Sequence, residues 1–243
     1  MMMFEQLKEL IDSSNNIVFF GGAGVSTESG IPDFRSEKGI YNTVKNYGYP
    51  PETILSHTFF MNYTNTFYDF YKKMMLYPDA KPSTPHIALK KLEDMGKLKA
   101  VVTQNIDGLH QMAGSSTVYE LHGSVLRNNC MKCRKFFDLD YIINSEGVPK
   151  CDECGGVVKP DVVLYEEGLD DVTVENAILA IERADMLIVG GTSLNVYPAA
   201  GLLRYYHGNK LVLINKSETP FDSRADLVLH EYLGEVFSAV LDL

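Results

Sequence analysis

Four short apolar runs, each ending in small or polar residues, constrain the fold more than any other feature of this chain. Runs of this kind are typical of strands buried on both faces of a parallel sheet. Segments with helical spacing separate them, including residues 86–95. The predicted strands cover residues 17–20, 99–103, 186–190 and 211–215. This alternation predicts an α/β fold with a doubly wound parallel sheet.

Two stretches interrupt the alternation and predict a second, smaller module. Residues 36–80 are rich in tyrosine, phenylalanine and asparagine, with a helical pattern over residues 67–75. Residues 125–160 contain all four cysteines. A chain of 243 residues is long enough for one α/β domain with such insertions. The larger domain is then predicted to comprise residues 1–35, 81–124 and 161–243.

The formal net charge of −10 limits the classes of partner. Phosphate backbones repel such a chain, so direct nucleic-acid binding is not expected, whereas a basic peptide would be attracted. The chain contains no apolar run of the roughly 18–20 residues that a membrane span needs, and its amino terminus lacks a signal-peptide pattern. We therefore expect a cytoplasmic protein, without membrane contact, whose cysteines are not disulfide-bonded.

A glycine turn follows the first predicted strand and contains Gly22, Ala23, Gly24, Ser26 and Thr27. Small residues allow a pyrophosphate to approach the backbone, and N–H groups and the start of a following helix stabilise its charge. The Ser26 hydroxyl is a further candidate donor. Because Thr27 replaces the third glycine of a complete dinucleotide-binding fingerprint, an ordinary strand-to-helix turn remains the alternative.

The loop after this turn contains Asp33, Phe34 and Arg35. An arginine in this place can bind phosphate, and an aromatic ring can cover the face of a sugar. The alternative is a surface loop held by an arginine–aspartate pair.

Polar residues also follow the later predicted strands. Because the carboxyl ends of parallel strands face the ligand crevice, these side chains are candidates for binding a nucleotide. Helix caps and ordinary loop contacts are the alternative for each of them. The candidates are Gln104, Asn105, Ile106 and Asp107 after the second strand, Gly191, Thr192 and Ser193 after the third, and Asn215 at the end of the fourth.

His122 precedes Gly123 and stands just before the cysteine segment. A neutral imidazole near pH 7 is a good general base, which typically accelerates a reaction about 10²–10⁴-fold. A single histidine is more often structural, so both interpretations stay open on the residue alone.

Two cysteine pairs form the most specific motif of the chain. Cys130 and Cys133 are followed, after 17 residues, by Cys151 and Cys154. This spacing matches zinc sites in which each pair donates two thiolates to a tetrahedron. Four thiolates leave no open position for a reacting group, so the pattern predicts one structural zinc ion.

In this order, the motifs resemble those of the sirtuin family of NAD-dependent protein-lysine deacetylases, in its bacterial type. The resemblance runs from Gly22 to Asn215 and includes G-A-G-x-S, G-I-P-D-F-R, T-Q-N-I-D, H-G and the paired C-x₂-C. It implies a Rossmann-like domain beside a small domain made of the helical insertion and a zinc ribbon. It also implies that NAD is consumed, that acetyl-lysine is the partner, and that nicotinamide and O-acetyl-ADP-ribose are released.

The resemblance assigns roles to most of the candidate residues. It implies that His122 is the general base and that Asn105 also belongs to the catalytic set. It implies contacts with NAD along two halves of the cleft. These residues are Gly22, Ala23, Gly24, Ser26, Thr27, Asp33, Phe34, Arg35, Gln104, Asn105, Ile106 and Asp107, and then Gly191, Thr192, Ser193 and Asn215.

Family members bind the substrate peptide as a strand between two loops. The corresponding residues here are Val162, Val163, Tyr165, Glu166 and Glu167 in one loop, and Leu194 and Val196 in the other. The first loop departs from the family pattern, which ends in Phe-Gly-Glu, because Glu166 stands in place of glycine. A glutamate there puts the backbone geometry in question and is expected to favour basic peptides.

Relatives that remove succinyl groups carry a Tyr-x-x-Arg pair in the helical insertion. The corresponding residues here are Tyr68 and Tyr71, so the arginine is missing. We therefore expect acetyl or longer apolar acyl groups.

Two other functions compete with deacetylation. One is an NAD-consuming ADP-ribosyltransferase or glycohydrolase, and the other is a non-enzymatic NAD-sensing or zinc-ribbon interaction module. The peptide-loop pattern argues against the first, and the set of Asn105, Asp107 and His122 argues against the second. The sequence names neither protein targets nor an oligomeric state.

Overall fold

The computed structural model describes residues 2–33 and 47–243. Strands β1 to β9 are, in chain order, Ile17–Gly21, Leu98–Thr103, Val118–Glu120, Gly123–Cys130, Phe136–Phe137, Val158–Val162, Met186–Gly190, Leu211–Ile214 and Leu227–Leu229. Helices α1 to α9 are Met2–Asp12, Pro51–Ile54, His57–Asn62, Thr64–Met74, Thr84–Asp94, Leu109–Met112, Leu139–Asn144, Asp171–Arg183 and Leu233–Leu241. Among these described segments, no helix combines the length and the apolar character that a membrane crossing requires.

Six of the strands form one sheet in the order β3-β2-β1-β7-β8-β9. Every neighbouring pair is parallel. The chain leaves β1 toward one edge and returns on its other side with β7, so the strand order reverses between these two strands. A reversal of this kind opens a crevice at the carboxyl ends of the strands. The predicted doubly wound parallel sheet is confirmed.

Helices cover both faces of this sheet because its central strands are apolar on both sides. Side chains from α1, α5 and α9 pack on one face with Phe19 and Ile188. Helix α8 and the 3₁₀ segment Ala199–Tyr205 pack on the other with Phe20 and Val189. Burial on both faces explains why β1 and β7 are continuous apolar runs rather than alternating ones.

A second apolar core joins the two stretches that interrupt the alternation. Its members come from residues 54–76 and from residues 125–164. The first stretch supplies an aromatic cluster from α3 and α4, in which Phe60, Phe67, Tyr68 and Tyr71 are fully buried. The second supplies a three-stranded antiparallel sheet in the order β5-β4-β6. Segments distant in sequence therefore stabilise each other.

The strands with strong apolar runs lie where the sequence predicts them, within one residue at each end. Two edge strands of the parallel sheet, β3 and β9, were not predicted. Each contains only three residues. The side chains of β3 are only half-buried. A strand this short, at the edge of a sheet, produces no apolar run that distinguishes it from a loop.

Candidate active site

The carboxyl ends of β1, β2 and β7 lie side by side and are joined by Gln104. Its backbone N–H donates to the Gly21 carbonyl oxygen at 3.0 Å. Its side-chain Nε2 donates to the Thr192 hydroxyl at 3.1 Å. Gln104 therefore connects the three loops that the sequence proposes as a nucleotide site.

Two glycine turns pack against each other at this edge. The Gly24 N–H donates to the Gly191 carbonyl oxygen at 2.8 Å. A Cβ atom on Gly24 would lie 2.7 Å from the Gly191 Cα atom, and one on Gly22 would lie 2.8 Å from the Thr192 Cβ atom. Contact between the loops therefore requires glycine at these positions, apart from any ligand that also needs a close approach.

The backbone after β1 differs from the expected strand-to-helix turn. Two single 3₁₀ turns follow, Ala23–Val25 and Thr27–Ser29. From Gly22 to Asp33 the described residues contain no α-helix. The Thr27 hydroxyl donates to the Gly24 carbonyl oxygen at 3.0 Å and closes the first turn. The N–H groups of Gly24, Val25 and Ser26 donate to carbonyl oxygens within the protein. An anion here would therefore be bound by the remaining backbone N–H groups of the turns rather than by the start of an α-helix.

Ser26 is buried beneath the turn and does not point outward as a free donor. Its hydroxyl donates to Asp107 Oδ2 at 2.7 Å and accepts from Asn105 Nδ2 at 3.0 Å. The other Asp107 oxygen accepts the Leu109 N–H at 2.9 Å. Ser26 therefore fixes the orientation of Asn105 and Asp107, the polar pair that follows β2.

His86 approaches the same serine from α5. The Ser83 N–H donates to His86 Nδ1 at 3.2 Å, so this nitrogen carries no proton and the neutral ring is protonated at Nε2. That N–H faces the Ser26 oxygen at 3.5 Å. Burial lowers the pKa of His86 to about 4, against an opposing effect of Asp107, so the ring is neutral at physiological pH.

His122 lies in the short connection between β3 and β4, beside Gln104. Its Nδ1 lies 2.9 Å from the Gln104 carbonyl oxygen, which can only accept, so Nδ1 carries the proton and Nε2 holds a lone pair. Burial lowers the pKa of His122, and the hydrogen bond to Gln104 opposes this effect. The imidazole is therefore neutral near pH 7 and ready to accept a proton at Nε2.

Gly123 determines the direction of the backbone between His122 and the rest of β4. Its φ angle is +73°, and a Cβ atom there would overlap the Asp161 carbonyl oxygen of the neighbouring strand β6. A glycine is therefore required directly after His122, because only a residue without a side chain lets this backbone pack against β6.

The first candidate peptide loop continues from β6. The Val163 N–H donates to the His122 carbonyl oxygen at 3.0 Å, which places this loop directly beside the histidine. Val162 is buried in the second apolar core, whereas the Tyr165 side chain is 40% exposed. The loop thus has one face in the protein and one face open to a ligand.

The second candidate loop follows Thr192. Leu194 has a φ angle of +55° and is only 2% exposed, and its N–H donates to the Thr192 hydroxyl at 3.3 Å. Val196 is half-buried, and its carbonyl oxygen accepts the Ala200 N–H at 2.9 Å. Asn195 and Tyr197, on either side of Val196, are exposed residues of this loop.

The remaining predicted residues lie farther along the sheet edge or outside the described part. Asn215 follows β8, and its Nδ2 donates to the Ser217 carbonyl oxygen at 2.7 Å. Ser193 and Asp33 are both half-buried. Phe34 and Arg35 lie outside the described residues.

The four cysteines converge at the end of the small antiparallel sheet. Their Sγ atoms all lie within 4.8 Å of one another. The Cys130 and Cys154 atoms are 3.4 Å apart, and those of Cys133 and Cys151 are 3.6 Å apart. A tetrahedral zinc ion with Zn–S bonds of about 2.3 Å needs sulfur atoms roughly 3.8 Å apart. The cluster therefore fits a zinc ion with four thiolate ligands.

A protein-family model described as the Sir2 family matches residues 22–198. The chain belongs to the Sir2 family. It is 63% identical over 237 residues to an NAD-dependent protein deacetylase of Clostridium acetobutylicum, covering 97% of each chain. An NAD-dependent protein deacetylase of Clostridium tetani is 62% identical, with 98% of this chain and 97% of the relative covered.

Solved structures of this family match the whole fold. One, of Sir2 with deacetylated p53 peptide and 3′-O-acetyl-ADP-ribose, has a TM-score of 0.91 and 38% identity, covering 99% of this chain and 98% of that one. Another, of Sir2 with p53 peptide and NAD+, has a TM-score of 0.87 and 39% identity, covering 98% and 97%. The predicted family and fold class are confirmed.

Sequence reasoning missed His86 as a member of the site. The only signal was the spacing of Ser83 and His86, which is that of a capping box and indicates a helix start. Its contact with Ser26 spans 60 residues of sequence and depends on how α5 packs on the sheet. No local pattern contains that information.

Proposed function

We propose that this cleft catalyses NAD-dependent deacetylation of protein lysine side chains, with transfer of the acetyl group to ADP-ribose. The observation that carries the proposal is His122, a neutral imidazole whose Nδ1 donates to the Gln104 carbonyl oxygen and whose backbone carbonyl accepts from Val163 of the candidate peptide loop. Relatives 62–63% identical to this chain are NAD-dependent protein deacetylases. Family structures hold peptide together with NAD+ or acetyl-ADP-ribose, which supports both substrates.

NAD is proposed to lie along the carboxyl ends of β1, β2, β7 and β8. In the turn after β1, Gly22 and Gly24 would permit the close approach of the pyrophosphate, since their own N–H groups donate to the Gly190 and Gly191 carbonyl oxygens. Ala23 and Thr27 would offer it backbone N–H groups. The adenosine half would contact Gly191, Thr192, Ser193 and Asn215, and the nicotinamide half would contact Gln104, Asn105, Ile106 and Asp107. Ser26 is proposed to act through Asn105 and Asp107, because its hydroxyl is committed to them. Asp33, Phe34 and Arg35 remain proposed contacts.

In this arrangement His122 accepts a proton from a ribose hydroxyl at Nε2. Its Nδ1–H bond to Gln104 fixes the ring orientation while that proton is transferred. NAD supplies the ribose carbon that bonds to the acetyl oxygen as nicotinamide leaves. One water molecule then completes the cleavage of the amide, so the products are free lysine, nicotinamide and O-acetyl-ADP-ribose. Asn105 is proposed to orient the reacting ribose, since Ser26 holds its amide. Exclusion of water from the cleft prevents wasteful NAD hydrolysis.

The acetyl-lysine peptide is proposed to add as a strand between the two loops. Val163, Tyr165, Glu166 and Glu167 would form one side, with Val162 supporting them from the core. Backbone groups of Leu194 and Val196 would form the other side. A peptide held mainly through backbone groups explains how one site accepts different sequences.

The acyl preference stays a prediction from the missing arginine. Tyr68 and Tyr71 are both fully buried in the aromatic cluster, where the Tyr68 hydroxyl donates to the Val158 carbonyl oxygen. Neither ring is accessible to an acyl group, so this pair does not itself select acetyl over succinyl.

Zinc is proposed to have a purely structural role here. Its ligands would be Cys130, Cys133, Cys151 and Cys154, and four thiolates leave no position for substrate. The proposed division assigns residues 36–80 and 125–160 to the small domain, which the shared apolar core supports. Thiolate ligands also fit a reducing cytoplasm, the proposed location.

The test of this function compares the purified protein with a His122→Ala variant. From NAD and an acetyl-lysine peptide, the wild type should form O-acetyl-ADP-ribose, which mass spectrometry detects. The variant should lose activity about 10²–10⁴-fold. A matched His207→Ala variant, at an exposed histidine, should keep the wild-type rate. Release of nicotinamide without peptide would identify hydrolysis or ADP-ribosyl transfer instead. Binding of NAD without any product would identify a sensor.

A further inference from the structure

The candidate peptide loop is attached to the helical insertion through its backbone. The Tyr165 N–H donates to the Leu55 carbonyl oxygen at 3.0 Å, and the Tyr165 carbonyl oxygen accepts the His57 N–H at 2.9 Å. Tyr165 and Ser56 therefore form a single parallel β-bridge outside the two sheets. Since Val163 is bonded to His122, the loop connects the catalytic histidine to the start of α3.

Glu166, which replaces the family's glycine, adopts a conformation that glycine favours. Its φ angle is +75°, in the left-handed region that residues with a side chain rarely enter. The substitution therefore keeps the backbone turn and adds a carboxylate at the cost of local strain. Such strain persists only where surrounding contacts offset it.

The compensating contact is made with the first turn of α3. Glu166 Oε2 accepts the Thr58 N–H at 2.9 Å, although the two residues are 108 positions apart in sequence. The first N–H groups of a helix lack carbonyl partners within the helix, so a carboxylate satisfies one of them. Hydrogen bonds from Thr58 lower the pKa of Glu166, which is therefore ionised at neutral pH. This carboxylate is engaged within the protein rather than held out for a basic peptide.

The neighbouring Glu167 reinforces the same attachment. Its Oε1 atom lies 2.8 Å from His57 Nδ1, and its Oε2 atom accepts from Lys159 Nζ at 3.1 Å and from the Leu164 N–H at 2.9 Å. Glu167 is the glutamate that the family pattern contains. The contact that this chain adds is therefore the hydrogen bond between Glu166 and Thr58. Two consecutive carboxylates thus fasten the loop to α3.

We propose that Glu166 is a positioning residue for the acetyl-lysine peptide, because its carboxylate anchors residues 163–167 to the start of α3. This rests on the proposed function of the loop as the peptide-binding edge. An edge that is already ordered costs less entropy when a peptide pairs with it. Glu166 then affects the Michaelis constant for the peptide, while the turnover number and the Michaelis constant for NAD depend on other residues.

Three variants separate the carboxylate from the strain. Glu166→Gln keeps an acceptor oxygen and the chain length, Glu166→Ala removes the acceptor and keeps the left-handed strain, and Glu166→Gly removes both. Glu175→Gln is the matched control, because Glu175 is exposed on α8 and its side chain makes no hydrogen bond or ion pair with the described residues.

Steady-state kinetics give the first readout. The alanine and glycine variants should raise the peptide Michaelis constant roughly tenfold, as expected for loss of one hydrogen bond to a charged group. The glutamine variant should change it about twofold. Turnover and the NAD constant should stay within about twofold of the wild type. An unchanged peptide constant in the glycine variant would overturn the proposal, and so would a parallel fall in turnover and melting temperature.

Hydrogen exchange gives a readout that does not depend on catalysis. Amides of residues 163–167 should exchange faster in the alanine and glycine variants than in the wild type and in Glu175→Gln. Unchanged exchange would refute the anchor itself. If the wild type forms no O-acetyl-ADP-ribose, the proposed function fails, and fluorescence anisotropy with a labelled acetyl-lysine peptide then decides on Glu166. Weaker peptide binding by Glu166→Gly than by the wild type supports the positioning role of Glu166. Equal binding by the two proteins, or no binding by the wild type, overturns that role.

Discussion

At the residue scale, the positions of most of the candidate site residues along the chain were predictable, but their hydrogen-bond partners were not. The motifs correctly place Ser26 after the first strand and Asn105 and Asp107 after the second, whereas the strand that precedes His122 was not predicted. Ser26 was expected to face a phosphate, yet its hydroxyl donates to Asp107, 81 residues away. Which strand lies beside β1 decides that contact, and a local sequence pattern contains no information about strand order.

Gly123 offers the sharpest prediction at this scale. Gly123→Ala should destabilise the protein by roughly 2–4 kcal/mol, because the new methyl group overlaps the backbone of β6 and the φ angle is positive. Gly147→Ala is the control, since its φ angle is also positive, at +57°, but no atom lies within 4 Å of the added Cβ. It should cost about 1 kcal/mol, from strain alone. Urea unfolding measures both, and equal costs would contradict the role of the contact with β6.

At the scale of elements, apolar runs and cysteine spacing were the reliable signals. Strands β1, β2, β7 and β8 are buried on both faces, so each gives a run that is visible in the sequence. The turns after β1 were not predicted, because 3₁₀ geometry there results from packing against the loop after β7. Thiolate spacing predicted the zinc site because both pairs lie in tight knuckles, where Arg134 and Gly155 adopt φ angles of 65° and 68°.

The zinc ribbon yields a prediction about metal content. The purified protein should contain about one zinc ion per chain, and Cys151→Ser should lower both the zinc content and the melting temperature, since metal binding contributes to the folding of such modules. Elemental analysis and thermal unfolding measure these changes. Glu153→Gln alters the same knuckle without removing a ligand, and should leave the zinc content unchanged. Full zinc occupancy in the serine variant would argue against a four-thiolate site.

At the scale of the whole molecule, two buried histidines make stability depend on pH. Burial lowers the pKa of His86 to about 4 and that of His110 to about 3, with the charge of His86 contributing to the latter. The rings lie 4.8 Å apart, and neither ring nitrogen of His110 has a partner among the described residues. Both imidazoles take up protons more readily in the unfolded chain, whose histidine pKa is about 6.5.

The sign of this effect follows directly. The contribution of these two histidines to the free energy of unfolding is fully present above pH 6.5. It is lost as the pH falls from there toward 4, because protons bind preferentially to the unfolded chain. Each histidine should account for roughly 2 kcal/mol of that loss by pH 4.5. Urea unfolding from pH 7 to 4.5 should therefore show a smaller decline for His110→Leu than for the wild type, whereas His207→Gln, at an exposed position, should match the wild type. An identical decline in all three proteins would exclude His110 as a source.

The shared core of the two insertions has a consequence for the order of synthesis. The aromatic side chains of residues 54–76 pack on one another and on residues 125–164. On the ribosome, this segment leaves the exit tunnel some fifty residues ahead of residues 125–164, so its phenylalanine and tyrosine rings lack those partners during that interval. The four cysteines of the zinc site follow only after that interval, so the small module is a part of the nascent chain in which protection by chaperones is expected to help.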